Sequence, residues 1–418
     1  MNEQIKQRIT QLNNGEVPNG YKKTSVGIVP VEWEEYTLGD IFKFKNGLNK
    51  EKEAFGQGTP IVNYTDVWKK RGLRAKDIKG RVALSSKEIR NYEAKSGDVF
   101  FTRTSETVDE IGYSSVLLED VENAVFSGFV LRARPYNDII CKEYHQYCYS
   151  EPMMRHEIIK RSSITTRALT SGPMLSQVNI NVPSRSEQSK IAEILMKWDE
   201  AIDLHEKLIR ALTEKQDCVI RQLTVKKAGW NPHSLSEILT ERTERSKTNN
   251  QYEVLSSTKQ GLFTQSEYFD KQVASENNIG YKIIHKEDIV LSPQNLWLGN
   301  INYNDSYERG IVSPSYKIFK IKECFDKTFI STILKLPITL HKYVLASEQG
   351  ASVVRRNLNM DLFYQIIVDL PDEETQHKIG HVINTFKTQI LLHKLKLDGL
   401  KKQRKALQKY LLTGVVRV

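Results

Sequence analysis

VPSRSEQSKIAEILMKWDEAIDLHEKLIRAL at residues 182–212 and LPDEETQHKIGHVINTFKTQILLHKLKLDGL at residues 370–400 decide how this chain is organised. The second stretch begins 188 residues after the first and aligns with it without a gap, so that Gln188 meets Gln376 and His205 meets His393. Self-similarity at one offset is the signature of a repeated structural unit. The chain is therefore interpreted as a tandem duplication.

Both stretches predict long amphipathic helices, because apolar side chains recur every three to four residues. The segment from Glu187 to Thr224 contains no proline, and a helix of that length would extend about 57 Å. Such a helix cannot bury its apolar stripe alone, so we expect the two copies to pack as an antiparallel coiled coil. The predicted packing positions are Ile191, Trp198, Ile202, His205 and Leu212 in the first copy and Ile379, Phe386, Ile390, His393 and Leu400 in the second.

The segments in front of the helices carry short β-rich runs, among them GDVFFTRTS from Gly97 and GIVSPSYKIFKI from Gly310. Gly, Pro, Asn and Ser bound these runs, and helical patterns alternate with them. The sequence thus predicts an α+β fold in which two globular domains alternate with two long helices. The expected boundaries are 1–183 for an N-terminal segment and the first globule, 184–226 for the first helix, 227–371 for the second globule, and 372–418 for the second helix.

Composition narrows the range of partners. Lys and Arg number 61 against 51 Asp and Glu, which gives a net charge of +10 and a pI near 9.1. Basic faces favour nucleic acid over a membrane surface or an acidic protein. Four cysteines in 418 residues exclude a disulfide scaffold and suggest a reducing compartment. No apolar run approaches the ~18 residues of a membrane span and the start is too polar for a secretory signal, so we expect a soluble cytoplasmic protein.

Four motifs carry a family resemblance. They are GYKKTSVGIVPVEWEEYTLGDIF at Gly20–Phe42, VPSRSEQSKIAEIL at Val182–Leu195, LPDEETQHKIGHVI at Leu370–Ile383 and KALQKYLLTG at Lys405–Gly414. With them, nearly the whole chain resembles the specificity (S) subunit of type I restriction–modification enzymes. One departure is that the second globule opens with GWNPHSLSEIL and lacks the element that precedes the first.

The resemblance implies that the globules are target-recognition domains, each reading one half of a split double-stranded DNA target. It also implies that the long helices separate the two domains and dock two modification (methyltransferase) subunits, and that restriction (translocase and nuclease) subunits join the complex. This chain would then be a non-catalytic part of a restriction endonuclease and DNA adenine methyltransferase. S-adenosylmethionine would bind the modification subunits, ATP and Mg the restriction subunits, and no cofactor this chain. An S-like subunit of another multi-subunit restriction system and an orphan S subunit remain alternatives.

Motifs for a catalytic chain are sparse. Gly56-Gln57-Gly58 is too short for a dinucleotide fingerprint, and the sequence contains no GxxxxGK phosphate cradle. Asn231-Pro232-His233 lacks the second proline and the aromatic residue of the amino-methyltransferase motifs. Asp77 followed by Glu93-Ala94-Lys95 is the one loose nuclease pattern, and such short patterns arise often by chance. A self-contained nuclease or methyltransferase is therefore disfavoured. A structural adaptor whose globules bind proteins remains a second alternative, which loss of DNA binding in every partner context would favour.

A zinc site is considered at Cys141, His145 and Cys148, which would share one face of a helix. In the second copy, His145 and Cys148 align with Ile330 and Ile333, neither of which binds metal. We therefore interpret this face as a core-packing stripe and predict no metal site and no catalytic residue.

Loops at equivalent places in both copies carry side chains that suit DNA. Arg reads guanine and Asn or Gln reads adenine in the major groove, while scattered Lys and Arg hold phosphates. The predicted DNA-binding residues of the first globule are Lys69, Lys70, Arg71, Arg74, Arg103, Thr104, Ser105 and Arg167. The corresponding residues of the second are Gln294, Asn295, Arg355 and Arg356.

Overall fold

A computed structural model describes residues 3–68, 70–164, 167–265, 277–349 and 356–418. The chain forms two compact units, which we call unit 1 (Met1–Glu206 with Lys396–Val418) and unit 2 (Lys207–Leu395). Both units combine helices with sheets, so the prediction of an α+β fold is confirmed. Within the described part of the chain, no helix is long and apolar enough to cross a membrane.

The helices range from single turns to rods of about forty residues. They are α1 (Glu3–Asn13), α2 (Tyr64–Val67), α3 (Ser86–Asn91), α4 (Pro152–Lys160), α5 (Gly172–Ser176), α6 (Arg185–Leu223), α7 (Leu235–Ile238), α8 (Lys327–Ile333), α9 (Pro337–Leu345), α10 (Met360–Gln365) and α11 (Glu373–Leu412).

The strands of unit 1 are β1 (Tyr21–Thr24), β2 (Gly27–Pro30), β3 (Glu34–Thr37), β4 (Phe42–Asn46), β5 (Phe55–Val62), β6 (Gly72–Leu73), β7 (Gly80–Val82), β8 (Val99–Thr102), β9 (Thr104–Ser105), β10 (Ser114–Leu117), β11 (Val125–Phe126), β12 (Val130–Pro135), β13 (Ser163–Ile164), β14 (Ala168–Leu169) and β15 (Asn179–Val182). Those of unit 2 are β16 (Asn231–Ser234), β17 (Leu239–Arg242), β18 (Leu255–Ser257), β19 (Leu262–Thr264), β20 (Lys282–His285), β21 (Asp288–Leu291), β22 (Ile301–Tyr303), β23 (Arg309–Val312), β24 (Lys317–Ile321), β25 (Ser347–Gln349), β26 (Arg356–Leu358) and β27 (Ile367–Leu370).

The four strands of the main sheet in unit 2 follow the same order as the first four of the five strands in unit 1. In unit 1 the order is β4-β12-β8-β10-β6, and in unit 2 it is β17-β24-β21-β22. The strand pairs β15-β3 and β27-β16 also correspond, as do β13-β14 and β25-β26. The tandem repeat inferred from the helical motifs therefore extends through the topology of the two globules.

The central strands β8 and β21 are buried on both faces, which explains their continuous apolar sequences. In β8, Val99 and Phe101 pack into the largest core of unit 1, while Phe100 points into a second core on the opposite face. In β21, Ile289 and Val290 divide in the same way between two cores of unit 2.

A buried aspartate lies at the start of each central strand and is held by an arginine of the same sheet, from the adjacent strand β12 in unit 1 and from β17, the next strand but one, in unit 2. Asp98 accepts two hydrogen bonds of 2.7 Å from Arg134 and one of 2.8 Å from the backbone N–H of Lys95. Asp288 accepts bonds of 2.8 and 3.1 Å from Arg242 and one of 2.8 Å from the backbone N–H of His285. These braces fix the position at which each central strand starts.

Each long helix begins directly after a capping side chain. Ser184 accepts a hydrogen bond from the backbone N–H of Glu187 at the start of α6, and Asp372 does the same for Thr375 in α11. Such caps satisfy backbone donors that the first helical turn leaves free. At 39 and 40 residues, each helix is about 60 Å long.

The paired glutamines of the repeat attach each long helix to the globule before it. Gln188 donates to the carbonyl of Pro183 at 2.9 Å and accepts from the backbone N–H of Cys141 at 2.8 Å. Gln376 donates to the carbonyl of Pro371 at 2.9 Å and accepts from the backbone N–H of Asp326 at 3.2 Å. Both side chains are buried, so their identity in the repeat reflects a buried hydrogen-bond junction.

The first turns of each long helix belong to a globular core. Ile191 is in the main core of unit 1, which also contains Leu411 and Leu412 from the end of α11. Ile379 is in the main core of unit 2, against which Ile220 and Leu223 from the end of α6 pack. Ile191 and Ile379, which were predicted as helix-packing positions, therefore lie in the cores of the two globules. Of the other predicted positions, Ile390 is buried and Trp198, Ile202, His205, Leu212, Phe386, His393 and Leu400 are half-buried.

Within unit 1, α6 and α11 run in opposite directions where they meet. Asp199 pairs with Arg404 at 2.8 Å, and Glu206 pairs with Lys401 at 2.6 Å. The residue numbers rise along one helix and fall along the other, which is the antiparallel arrangement for this part of the two helices.

Candidate nucleic-acid interface

The structure of unit 1 brings together two predicted DNA-binding segments that lie far apart in the sequence. Strand β9 pairs with β14, with Ser105 opposite Ala168 and Thr104 opposite Leu169. The backbone N–H of Thr170 donates to the carbonyl of Arg103 at 2.9 Å. The Arg103–Ser105 loop and Arg167 therefore lie side by side.

Arg103 combines a fixed main chain with a side chain that makes no polar contact among the described residues. Its backbone N–H donates to the carbonyl of Phe129 at 3.1 Å, and its carbonyl accepts from Thr170, so the main chain is fixed on both sides. The side chain is half-buried, and within the described residues its guanidinium has no hydrogen-bond or ion-pair partner. A guanidinium carries five donors in a planar fork that matches a phosphate or a guanine edge.

The neighbours of Arg103 differ in availability. Thr104 is half-buried, whereas Ser105 is buried and its hydroxyl accepts a hydrogen bond of 3.2 Å from the backbone N–H of Thr107. Ser105 thus braces the loop in this structure. Arg167 is largely exposed and pairs with Glu106 at 3.6 Å, a surface ion pair that contributes little to stability and exchanges easily for another anion.

Unit 2 repeats this arrangement with different side chains. The backbone N–H of Arg356 donates to the carbonyl of Gln294 at 3.3 Å, as Thr170 does to Arg103 in unit 1. Gln294 is exposed and Asn295 is half-buried in the turn that follows β21. Arg355 lies outside the described residues.

The sequence analysis missed Trp297, which lies beside this second loop. The Arg356 guanidinium lies over the indole ring, 5.5 Å from its centroid, and donates to the carbonyl of Val344 at 3.3 Å. Stacking on an aromatic face orients a guanidinium while leaving donors free at its edge. The signal that could have found Trp297 is an aromatic residue two positions after Asn295.

The basic loop after Trp68 is less uniform than its sequence suggested. Lys70 pairs with Asp77 at 3.7 Å and Arg74 with Glu119 at 3.2 Å, and both cations stay exposed. Lys69 lies outside the described residues. These partly neutralised cations are on the surface of unit 1.

Arg71 has a structural role that the sequence did not reveal. Its guanidinium donates to both carboxylate oxygens of Asp199 at 3.2 Å and lies over the ring of Tyr147. Burial lowers the pKa of Arg71, and the nearby charge of Arg404 acts in the same direction. Arg71 thus anchors the loop after Trp68 to α6. Its guanidinium could contact DNA only after the ion pair with Asp199 is broken.

The residues considered for metal or nuclease chemistry have other surroundings. Cys141, His145 and Cys148 are buried in the main core of unit 1, where the imidazole Nδ1 is 2.7 Å from the hydroxyl of Tyr149. Burial lowers the pKa of His145 to about 3, so the ring is neutral. Lys95 pairs with Glu93 at 3.1 Å. Across the described ranges, no three His, Cys, Asp or Glu side chains converge as metal ligands.

Comparison with known proteins gives a consistent result. Residues 30–214 match the family described as the type I restriction modification DNA specificity domain. The chain is 22% identical to the MjaX specificity subunit of Methanocaldococcus jannaschii, over 95% of this chain and 97% of that protein. It is 24% identical to the type I restriction enzyme EcoKI specificity subunit of Escherichia coli K12, over 36% of this chain and 32% of that one.

The fold is also found in a solved structure. The S subunit of a type I restriction-modification system from M. genitalium superposes with a TM-score of 0.55, covering 95% of this chain and 97% of that chain at 14% identity. At this identity the similarity shows a shared fold.

Proposed function

We propose that this chain is a DNA specificity subunit of a type I restriction–modification complex and selects the DNA sequence on which that complex acts; the match of residues 30–214 to the type I restriction modification DNA specificity domain supports this. Each globule reads one half of a bipartite target in double-stranded DNA. The chain itself performs no catalysis, and the adenine methylation and DNA cleavage take place on other subunits.

The observation that carries this proposal is the repeated loop at the end of the central strand. In both units a backbone hydrogen bond from a neighbouring chain segment fixes the loop, through Arg103 in unit 1 and Gln294 in unit 2. Both loops follow a central strand and accept such a backbone bond, whereas their side chains are arginine and threonine in one copy and glutamine and asparagine in the other. Arginine pairs with guanine and amide side chains with adenine, so the two halves of the target would differ.

We further propose that α6 and α11 pack along their length as an antiparallel coiled coil that holds the two reading domains at a set spacing. The duplicated surfaces would dock two copies of the modification subunit, because each surface occurs twice. S-adenosylmethionine would then be bound by the modification subunits, and ATP and Mg by restriction subunits that complete the complex. The complex would act in the cytoplasm, where the DNA lies.

The test is co-expression of the chain with a modification subunit of the same system, followed by sequencing of methylated sites in the host DNA. We expect one split motif, and no methyl transfer from S-adenosylmethionine by the purified chain alone. Methylation by this chain without a partner, or an undivided motif, would contradict the proposal.

A domain replacement tests whether the two halves are independent. Residues 227–370 are exchanged for the corresponding segment of another S subunit, and the methylated motif is sequenced again. Only one half of the motif should change, since the other globule is untouched. If both halves changed together, two separate reading domains could not explain the target.

A further inference from the structure

Each unit contains an open groove beside a helix that begins with a proline, α4 in unit 1 and α9 in unit 2. In unit 1, a groove of about 740 Å³ lies between Pro152 at the start of α4, Asp199 on α6, and Arg404, Lys405 and Lys409 on α11; we call it groove 1. In unit 2, a groove of about 730 Å³ lies between Pro337 at the start of α9, Lys387 on α11, and Asp217 and Arg221 on α6; we call it groove 2.

The two grooves are equivalent positions of the duplication. At the offset of 188 residues, Asp199 aligns with Lys387, and Lys409 aligns with Arg221. Each groove is lined by a globule, by the long helix that follows this globule, and by the far end of the other long helix. A partner present in two copies could therefore use both grooves in the same way.

Both grooves carry positive charge without a neutralising partner. In groove 1, Lys401 and Lys402 pair with Glu206 and Asp398, whereas Lys405 and Lys409 are exposed and have no ion pair with any described residue. In groove 2, the same holds for Arg221, which is exposed.

The lining of groove 2 includes two further cations, Lys335 and Lys387. Lys335 donates to the side-chain oxygen of Asn302 at 2.8 Å and makes no ion pair with a described residue. Lys387 lies over the ring of Tyr303, 5.9 Å from its centroid, and makes no ion pair within the described part of the chain. Two carboxylates line each groove, Glu151 and Asp199 in groove 1 and Asp217 and Asp305 in groove 2. Six basic side chains line groove 1 and three line groove 2, so the surplus of positive charge is larger in groove 1.

The wall of groove 1 is held in place before any partner binds. Arg404 is buried and donates to both carboxylate oxygens of Asp199, at 2.8 and 3.1 Å. Gln408, one turn further along α11, donates to the hydroxyl of Ser150 at 2.8 Å. A preformed site loses less conformational entropy when it binds a ligand.

A short helix separates each groove from the predicted DNA-reading loop of the same unit. The groove lies at the start of this helix, and the strand pair next to the loop (β13-β14 or β25-β26) follows its end. Helix α4 begins at groove 1 and ends three residues before β13, and α9 begins at groove 2 and ends two residues before β25. Nine residues of helix extend about 13 Å. The grooves are therefore surfaces separate from those loops, which favours a protein occupant over the DNA being read.

We propose that grooves 1 and 2 are equivalent docking sites for an acidic segment of a partner protein that binds in two copies. This inference rests on the proposed function, under which the partner is the modification subunit. Carboxylates of the segment pair with Lys405 and Lys409 in groove 1 and with Arg221 and Lys387 in groove 2. Groove 1 binds its copy more tightly, because its surplus of cations is larger.

The experiment measures assembly with the modification subunit by native mass spectrometry and titration calorimetry between about 0.1 and 0.5 M salt. The test variant for groove 1 combines Lys405→Glu and Lys409→Glu, and that for groove 2 combines Arg221→Glu and Lys387→Glu. The matched control combines Lys23→Glu and Lys190→Glu, two exposed lysines of unit 1 that make no ion pair with described residues. Circular dichroism checks that each variant is folded.

We expect the wild-type chain to bind two copies, with affinity that falls as salt rises. Reversing charge across an interface opposes like charges, and each ~1.4 kcal/mol is tenfold in affinity. The groove 1 variant should therefore lose about 100-fold at one site and its salt dependence there, while the control behaves as wild type. The groove 2 variant should lose the weaker copy.

The outcomes separate this inference from the proposed function. If the wild-type chain assembles and directs methylation while both groove variants bind two copies normally, the inference alone is overturned. The same applies if the groove variants lose DNA affinity and keep the partner, since the grooves would then hold DNA. If the wild-type chain neither assembles nor directs methylation, the proposed function fails, and the inference fails with it.

Discussion

Replacing Asp98 by Asn tests whether the brace at the start of β8 holds unit 1 together. The Asp98 side chain is 1% exposed and accepts three hydrogen bonds, two from Arg134 and one from the backbone N–H of Lys95. Asparagine has nearly the same shape but no charge, and its NH₂ group cannot accept from Arg134. The substitution therefore removes the closer of two carboxylate partners of Arg134, the other being Glu93 at 3.8 Å, and changes little else.

The expected loss follows from the surroundings of Arg134. Breaking a buried ion pair by removing one partner costs about 3–5 kcal/mol. Arg134 is 30% exposed and still donates to the carbonyl of Glu93 at 3.2 Å, so we expect the lower end, about 3 kcal/mol. For a unit of 150–250 residues, each kcal/mol lowers Tm by about 2–4 °C, which gives a decrease of about 6–12 °C.

Differential scanning calorimetry of the full chain measures this effect. Asp288→Asn should produce a similar decrease, because Arg242 holds Asp288 in unit 2. The control is Asp138→Asn, an exposed position that should change stability by less than about 0.5 kcal/mol. The double variant Asp98→Asn with Arg134→Met should recover part of the loss, since no uncompensated cation remains. A decrease below about 2 °C for Asp98→Asn would refute the reasoning.

Three further predictions address pH, packing and DNA reading. Burial lowers the pKa of His145 to about 3, so the unfolded state binds more protons than the folded state between pH 6.5 and 3. The free energy of unfolding should therefore decrease as the pH is lowered through this range, by up to ~1.4 kcal/mol per pH unit. Urea titrations at several pH values should show a shallower dependence on pH for His145→Gln, and an equal dependence would contradict this. Gly414 has φ of +67°, and an added Cβ would lie 2.4 Å from Cδ of Pro30, so Gly414→Ala should lower the free energy of unfolding by about 2–3 kcal/mol, and urea unfolding that matches the wild type would count against it. Arg103→Ala should reduce discrimination between bases in one half of the DNA target, and Asn295→Ala should do so in the other half, by about 1–3 kcal/mol each. The measurement is binding of the assembled methyltransferase to DNA with single-base changes in the target. Equal losses of affinity for cognate and mismatched DNA would show that these residues contact the DNA phosphates instead.

The long helices and their repeat could be predicted because their signal is local. Helical periodicity, the absence of proline and the capping serine or aspartate all lie within a few residues of one another. The helix predicted from Glu187 to Thr224 runs from Arg185 to Leu223. The positions of Arg103 and Gln294 shortly after the central strands could also be predicted, because each follows an apolar run that begins with Asp-Val or Asp-Ile; their role in DNA binding stays a prediction.

The partners of charged side chains could not be read in the same way. Arg71 and Asp199 are 128 positions apart, and no local pattern connects them. The sequence therefore grouped Arg71 with exposed neighbours such as Lys70 and Arg74, although it lies against a buried tyrosine. The packing of Ile191 into a globular core was missed for the same reason, since an apolar stripe indicates burial but does not name the surface that covers it.

The residues that support the two globules are the same in both copies of the duplication, whereas the side chains of the loops after the central strands differ. The glutamine junctions at Gln188 and Gln376 and the braced Asp98 and Asp288 occur in both copies with the same hydrogen-bond partners in kind. At the loops themselves, the carbonyl at position 103 or 294 accepts the same type of backbone bond whichever side chain it carries. A backbone contact imposes no demand on the side chain, so these positions can change without loss of the fold. This separation of support from contact gives a physical reason why one scaffold could acquire two different half-site preferences on the same chain.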